Sequence, residues 1–305
     1  MMDWSDRHYR YFMRQVSAHA RVYTEMITTG ALLHGDVDRH LAFSEEEHPV
    51  ALQLGGSEPD ELARCAQLGE RYGYDEINLN IGCPSERVQR GAFGACLMAE
   101  PRLVAACVAK IKDEVQIPVT VKHRIGIDQV EDYGFVRDFV GTVSQAGCST
   151  FIVHARNAVL KGLSPKENRE VPPLKYDYVH QLKRDFPLLE IVINGGITTH
   201  AQIEGQWAKV DGVMLGRAAY HDPWLLADPG KTRAGVISRM VEYCRHHRDV
   251  PLRGIVRHML GLYHGAPRAR LWRRMLSDAE RLRENRAELL LDALEAVESP
   301  EEIGA

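Results

Sequence analysis

The sequence predicts an α/β fold, a TIM (β/α)8 barrel followed by an all-helical C-terminal domain, on three observations. Short apolar runs alternate with helix-length segments through about residue 220. Such alternation is typical of parallel βα units. Polar or glycine residues follow nearly every run, as on the catalytic face of a barrel. Beyond residue 220 the apolar runs give way to helical patterns.

Seven strands are predicted, at residues 22–26, 49–54, 76–79, 118–122, 150–154, 190–194 and 211–215. A closed barrel of this type needs eight. Because the chain opens directly on a predicted helix, at residues 9–18, we expect the first barrel strand to be missing or truncated. An open doubly wound sheet is the alternative, but no GxGxxG motif follows an early strand.

Helices are predicted both between the strands and in the C-terminal part of the chain. Those between strands cover residues 59–72, 101–115, 132–146 and 176–186. Those near the C-terminus cover residues 234–247, 253–263, 271–279 and 281–297. Asp228-Pro229-Gly230 is typical of a linker. We therefore predict a barrel domain at residues 1–229 and a helical domain at residues 230–305.

Composition limits the class of protein. The chain is 45% hydrophobic and 26% charged, which is ordinary for a soluble globular protein. No apolar run approaches the roughly 20 residues of a membrane span, and no secretory signal pattern is seen at the N-terminus. Six cysteines without a CxxC pair indicate free thiols in a reducing compartment. We expect a cytoplasmic monomer without membrane association.

The distribution of charge points to a nucleic acid more than the net charge does. The net charge of −4 argues against a uniformly basic nucleic-acid binder. Residues 251–277, however, hold six arginines and no carboxylate, interleaved with aromatic residues. That composition suits a nucleic-acid backbone. A charged, solvated helix face is the alternative.

The residues after each predicted strand suggest a flavin site. Gln53 offers an amide to a heterocycle edge, and Lys122 and His154 are expected as inward-facing cations. The turns after the last two strands are where such barrels commonly bind phosphate. Two ordinary tight turns and a satisfied core histidine are the alternatives. The predicted cofactor-binding residues are Gln53, Lys122, His154, Asn194, Gly195, Gly196, Gly216 and Arg217.

Cys83 is the cysteine placed for chemistry, since it follows a strand in the turn Asn80-Ile81-Gly82-Cys83-Pro84. The other five cysteines lie in helical segments or beside strands, where packing is the simpler reading. No ligand pairs occur at zinc-binding spacing, so we expect no metal site.

The turn and its continuation Gly94-Ala95-Cys96-Leu97-Met98 resemble the signature of tRNA-dihydrouridine synthases. The resemblance extends over essentially the whole chain and is strongest to the A subfamily. It rests also on these segments: Trp4-Ser5-Asp6-Arg7-His8, Tyr23-Thr24-Glu25-Met26, residues 48–56, residues 164–173, Arg257-His258-Met259-Leu260 and Leu271-Trp272-Arg273-Arg274. Relatives carry a short strand ending in Ala-Pro-Met ahead of the Trp4 segment, and this sequence starts at that methionine.

The resemblance implies an FMN-bearing TIM barrel and a helical tRNA-binding domain. The implied reaction reduces the C5–C6 bond of uridine in the D-loop, at positions 20 and 20a, with NADPH as reductant. Hydride from flavin N5 would go to C6, and Cys83 would give the proton to C5. The implied tRNA-contacting residues are Asn80, Lys166, Arg169, Arg257, Arg273 and Arg274.

Two other functions are also compatible with these residues. A flavin barrel that reduces a free pyrimidine, as dihydroorotate dehydrogenases do, would share Lys122 and the phosphate-binding glycines. It would not need the arginine-rich tail. A non-catalytic tRNA-binding protein on a degenerate barrel would explain the tail, but it would not need an intact Cys83.

Overall fold

The computed structural model describes residues 1–130 and 132–299, apart from the side chains of residues 87 and 90. The chain divides into two compact units. The barrel unit comprises Met1, Tyr23–Phe43 and His48–Gly216. The helical unit comprises Met2–Val22, Ser44–Glu47 and the described residues from Arg217 on. The helical unit thus begins before the predicted boundary at residue 230 and includes N-terminal residues. Residues 300–305 of the predicted second domain lie outside the described part.

The strands form one parallel sheet, which confirms the predicted barrel-like α/β fold. They are β1 (Val22–Tyr23), β2 (Ile27–Thr28), β3 (Val50–Gly55), β4 (Glu76–Ile81), β5 (Val119–Arg124), β6 (Thr150–His154), β7 (Glu190–Asn194) and β8 (Gly212–Met214). The order along the sheet is β1-β3-β4-β5-β6-β7-β8, with β2 also paired to β3. Consecutive parallel strands therefore lie side by side and curl as in a TIM barrel.

Helices follow the strands of the barrel unit and make up most of the helical unit. In the barrel unit they are Thr29–His34, Val37–Leu41, Pro59–Tyr72, Glu86–Arg90, Pro101–Glu114, Tyr133–Gln145, Tyr176–Asp185 and His200–Trp207. In the helical unit they are Arg7–Val16, Arg217–His221, Arg233–His246, Leu252–Val256, Ala269–Leu276, Ala279–Arg283 and Leu289–Glu298. None of the helices in the described ranges has the length and apolarity needed to cross a membrane.

Strand alternation places apolar and polar residues on opposite faces of the sheet. On β3 and β4, Leu52 and Ile77 face the helix Pro59–Tyr72, where they lie against Gly69. Because side chains alternate along a strand, Gln53 and Asn78 point to the other face. Their hydrogen bond joins the two strands on that face. The face away from the helices is therefore polar near the carboxyl ends of the strands.

The predicted strand at residues 22–26 is wrong as a single element. The structure has two short strands there, β1 and β2, on either side of residues 24–26. Thr24 explains the break, because its hydroxyl accepts the main-chain N–H of Gln53 at 2.9 Å. A side chain thus takes a hydrogen bond that a strand residue would take with its backbone.

Two C-terminal helix predictions are also wrong in extent. The helix predicted at 253–263 ends at Val256 and continues as a 3-10 turn, Arg257–Met259. Beyond it, a Cβ on Gly261 would lie 2.4 Å from the His221 carbonyl oxygen, so the chain packs closely against residue 221 there. The helix predicted at 281–297 is two helices, because Asn285 has a left-handed φ of 52°. Such a residue commonly ends a helix.

Candidate active site

Polar side chains on β3, β4 and β5 form a hydrogen-bonded series that ends at Asn80. The Thr120 hydroxyl donates to Glu76 Oε1 at 2.6 Å and accepts from Asn78 Nδ2 at 2.8 Å. Asn78 Oδ1 accepts from Gln53 Nε2 at 3.3 Å. Gln53 Oε1 accepts from Asn80 Nδ2 at 2.8 Å. Each amide therefore has one orientation set by its neighbours.

Asn80 fixes the turn that carries Cys83. Its Oδ1 accepts the main-chain N–H of Gly82 at 3.0 Å and that of Cys83 at 2.9 Å. From the other side, the Cys83 carbonyl accepts the N–H of Ala95 at 3.0 Å. Gly94 permits this approach, because its φ is +75° and a Cβ there would lie 2.7 Å from that carbonyl oxygen. The backbone of Cys83 is thus held at both its N–H and its C=O.

The Cys83 thiol differs from the other cysteines in its surroundings. It is half-buried, and its Sγ lies 3.5 Å from Ser85 Oγ. Burial raises the pKa of Cys65, Cys148 and Cys244 to about 12 and that of Cys107 to about 11. Burial also raises the pKa of the Cys96 thiol, whose Sγ lies 3.2 Å from the carbonyl oxygen of Phe93. Buried thiols of this kind are chemically inert.

Lys122 and Asn194 join two strands that are not neighbours. Lys122 Nζ donates to Asn194 Oδ1 at 3.3 Å, and Asn194 Nδ2 donates to the Met214 carbonyl at 2.8 Å. Because β6 lies between β5 and β7, the Lys122–Asn194 bond spans the inner face of the sheet. Burial, followed by the charge of Arg124, lowers the pKa of Lys122 to about 8. Lys122 is therefore a cation at neutral pH.

His154 is not the second cation that the sequence suggested. Its position at the end of β6 confirms that it is a strand-end residue. Burial, and then the charges of Arg124 and Lys122, lower the pKa of His154 well below its usual range. At neutral pH it is therefore an uncharged imidazole, able to donate one hydrogen bond and accept one.

Gly195 and Gly196 are required as glycines at the end of β7. Their φ angles are +111° and +73°. A Cβ on Gly195 would lie 2.4 Å from the His154 ring, and one on Gly196 would lie 2.5 Å from Leu174. The Tyr176 hydroxyl donates to the Gly195 carbonyl at 2.6 Å. The backbone of this turn is therefore packed closely against His154 and Leu174 and fixed in place.

The predicted cofactor residues of the barrel unit fit a flavin mononucleotide. One N–H of the Gln53 amide remains after its bond to Asn78, and it can donate to a heterocycle acceptor. Lys122 supplies a cation and His154 a neutral imidazole. Gly195, Gly196 and Gly216 offer backbone without side chains, as phosphate sites do. Gly216 is the last residue of the barrel unit, and Arg217 begins a helix of the helical unit.

Residues 1–298 match the family model described as dihydrouridine synthase. The chain belongs to the dihydrouridine synthase family. Among its relatives, the tRNA-dihydrouridine(20/20a) synthase of Shewanella oneidensis is 58% identical over 290 residues, covering 91% of this chain and 86% of that protein. The enzyme of the same name from Synechocystis sp. is 55% identical over 313 residues, covering 98% and 93%. That of Pseudomonas aeruginosa is 55% identical over 289 residues, covering 91% and 87%.

A solved structure of 2-naphthoyl-CoA reductase shares the fold. Its TM-score to this chain is 0.53 at 11% sequence identity. The match covers 74% of this chain and 46% of the other. At that identity the likeness concerns the fold alone.

In this member of the dihydrouridine synthase family, Lys166 and Arg169 lie on an exposed loop after β6. Asn168, between them, is fully buried. Its side chain accepts the N–H of Val159 at 2.7 Å and donates to the carbonyls of Val159 and Leu163. The loop therefore presents two cations on a backbone that is held from inside.

The three predicted arginines of the helical unit are all exposed, but they differ in their partners. Arg257 Nη2 forms an ion pair with Asp6 at 2.9 Å, and its Nε donates to the Gly254 carbonyl. Within the described residues, the guanidinium groups of Arg273 and Arg274 have neither an ion pair nor a hydrogen bond. Arg273 and Arg274 are therefore available to an anionic partner, whereas part of Arg257 is already used.

Four residues in the hydrogen-bond networks around the predicted site residues were not predicted from the sequence: Asn78, Thr120, Arg124 and Asn168. A sequence signal existed for three of them and was weakest for Thr120. Asn78 precedes Asn80 by two residues and Arg124 follows Lys122 by two, so each shares a strand face with a predicted residue. Thr120 follows the same rule more weakly, since threonine is common in strands. No local pattern marks Asn168 as buried.

Proposed function

We propose that this chain reduces the C5–C6 bond of uridine in the D-loop of tRNA, at positions 20 and 20a, with FMN as cofactor and NADPH as reductant. Membership in the dihydrouridine synthase family and the names of its relatives support the proposal. The observation that carries it is the Cys83 turn, held by Asn80 at the carboxyl end of β4 beside the polar inner face.

The cofactor would be held by residues on several strands. Gln53, Lys122 and His154 would contact the flavin ring. The ribityl and phosphate groups would be bound by Asn194, Gly195, Gly196, Gly216 and Arg217. Bound FMN, once reduced by NADPH, would supply the hydride for C6 of the uracil.

Cys83 would donate the proton to C5. Addition of hydride at C6 moves negative charge toward C5, and general acid catalysis by a positioned thiol neutralises that charge. Burial lowers the pKa of Lys122 to about 8 and that of Arg124 to about 10, and a negative charge on Cys83 would oppose that shift in both. These two cations would therefore offset the charge left on sulfur until the thiol regains a proton from water.

Recognition of tRNA would combine the loop and the helical unit. Lys166, Arg169, Arg257, Arg273 and Arg274 would contact phosphates, which supply most of the affinity of nucleic-acid binding. Asn80 would contact the uracil through its amide. The base must leave its stack to reach Cys83. Six free cysteines suit the cytoplasm, where we place the enzyme as a monomer.

Mapping of dihydrouridine in tRNA tests the proposal. In cells that lack this protein, we expect uridine in place of dihydrouridine at positions 20 and 20a, and the purified protein should restore the modification with NADPH. Unchanged modification in those cells would contradict it. Equal activity on free uridine would indicate a pyrimidine reductase, and a purified protein without flavin absorbance would indicate a tRNA-binding protein without this chemistry.

A further inference from the structure

Arg124 bonds to three main-chain carbonyls, which lie in two separate segments of the barrel unit. Its Nε donates to the Gly82 carbonyl at 3.2 Å. Its Nη1 donates to the carbonyls of Asn157 at 3.1 Å and Asn168 at 2.8 Å. The residue is only 3% exposed. One buried guanidinium thus connects the end of β5, the turn before Cys83 and the loop after β6.

Two of the residues that accept hydrogen bonds from Arg124, Gly82 and Asn168, lie in segments with different proposed roles. Gly82 precedes Cys83 and shares the Asn80 oxygen with it. Asn168 lies between Lys166 and Arg169, and its buried side chain bonds the loop to itself. Arg124 therefore bridges the proposed proton donor and the proposed tRNA-contacting cations.

We propose that Arg124 is a positioning residue that ties the Cys83 turn to the loop of Lys166 and Arg169, so that a tRNA held by the loop is placed in register with the thiol. Its consequence for catalysis rests on the proposed function. Because all three acceptors are backbone carbonyls, the link fixes main-chain positions. A guanidinium can serve them at once through its rigid planar fork, whereas an ammonium is a compact point charge without that geometry.

The link is tested first by Arg124→Lys in the full-length protein with its flavin. The charge beside Cys83 is kept, so a change in reactivity reports geometry. We expect limited trypsin cleavage after Lys161, Lys166 and Arg169 to rise about fivefold, since a loop released from its anchor opens more often. We also expect the alkylation rate of Cys83 by iodoacetamide, followed by peptide mass spectrometry, to change about threefold or more.

Two further variants distinguish loss of the Arg124 bonds from a general destabilisation of the protein. Arg137→Lys alters an exposed arginine paired with Asp138 and should leave both rates unchanged. Asn168→Ala removes the bonds within the loop but leaves the Arg124 bond to Gly82. It should raise cleavage and leave Cys83 alkylation within about twofold of wild type. Wild-type cleavage or wild-type alkylation in Arg124→Lys would overturn the proposal.

Measuring flavin reduction and flavin reoxidation separately distinguishes a positioning role of Arg124 from a purely structural one. Reduction of the flavin by NADPH should stay within about twofold in Arg124→Lys, while reoxidation by tRNA should slow about tenfold. Equal slowing of both would contradict positioning. If tRNA fails to reoxidise even the wild-type enzyme, the proposed function fails, whereas cleavage and alkylation still decide whether the link exists.

Hydrogen exchange on the unmodified protein tests the link even if Arg124→Lys does not fold. The N–H of Cys83 is bonded to Asn80, and that of Asn168 to the Ser164 carbonyl. If Arg124 ties these segments together, the two amides should open as one unit with the same free energy in mild denaturant. Two separate opening energies would overturn the proposal.

Discussion

Two sets of cations in the molecule are presented in opposite ways. In the barrel unit, Lys122 and Arg124 face inward and bond to Asn194 and to three carbonyls. In the helical unit, Arg273 and Arg274 are exposed on one helix. A buried cation acts through its position, because its partners leave it little freedom and low dielectric strengthens its field. An exposed cation acts through charge, which salt screens.

This difference separates two kinds of sensitivity to mutation. Substitutions at the strand ends of the barrel unit should strongly reduce cofactor retention and reaction rate, since small displacements of reacting groups slow catalysis. Changes on the arginine-bearing helix should alter tRNA affinity gradually and in a salt-dependent way. Substitutions at the two places should therefore have separable effects on chemistry and on tRNA binding.

The largest effect on cofactor binding is expected for Gly195→Ala. The new Cβ would meet the His154 ring at 2.4 Å on a backbone with φ of +111°. We expect the protein to lose about 2–3 kcal/mol of unfolding free energy and its FMN affinity to fall about 100-fold, measured by flavin fluorescence. Gly205→Ala is the control, since a Cβ there meets nothing within 4 Å. Retention of FMN by Gly195→Ala would contradict the predicted phosphate turn.

Asn80→Ala should leave the cofactor in place and disturb the Cys83 turn. Two main-chain N–H groups lose their acceptor, while Asn78 still orients Gln53. We expect kcat to fall about 100-fold while flavin content changes at most about threefold. Gln67→Ala removes an amide on an outer helix that bonds Glu114 and should have no effect. Loss of flavin and kcat together would assign Asn80 to the cofactor instead.

Substitution of Arg273 and Arg274 should affect tRNA binding and leave the chemistry unchanged. Replacing Arg273 and Arg274 by alanine should weaken tRNA binding about tenfold and reduce the salt dependence by about 0.7 to 0.9 per lost phosphate contact. Reduction of the flavin by NADPH should not change. Filter binding at several salt concentrations measures both quantities, with Arg137→Ala as a control on the barrel unit. An unaltered salt slope would remove these arginines from the interface.

The pH dependence of FMN affinity should reveal Lys122. Burial and Arg124 lower its pKa to about 8, so the unliganded protein loses this charge above about pH 8. A cofactor that binds the protonated lysine then binds less well as pH rises, by up to about tenfold per unit. We expect about a fivefold loss between pH 8 and pH 9 in wild type and none in Lys122→Arg, whose guanidinium stays charged. Parallel curves for the two proteins would exclude Lys122 from the cofactor site.

The strand-end residues could be predicted from the sequence because their position after an apolar run and their polar side chains both indicated a site. Parallel strands bring their carboxyl ends to one edge, so Gln53, Asn80 and Lys122 follow from the apolar runs before them. The glycines at 195 and 196 followed likewise, since a turn after a strand often needs positive φ. The structure adds that these glycines lie against His154 and Leu174.

Contacts between distant segments could not be predicted in this way. Nothing local to Arg124 indicates that its partners are the carbonyls of Gly82, Asn157 and Asn168. The uncharged state of His154 depends on burial and on two neighbouring cations. The break of strand 22–26 depends on the Thr24 hydroxyl and the N–H of Gln53. Each of these needs the tertiary structure, because the interacting groups are far apart in sequence or compete with a local pattern.

The role proposed for Cys83 is donation of the proton in the uridine reduction. Single-turnover reoxidation of the reduced enzyme by tRNA tests it most directly, with wild type compared with Cys83→Ala and with Cys96→Ala as the control. Cys83→Ala should keep FMN, tRNA binding and reduction by NADPH, and its reoxidation by tRNA should slow about 100- to 10,000-fold. Cys96→Ala should reoxidise at the wild-type rate. Wild-type reoxidation in Cys83→Ala would contradict the assignment.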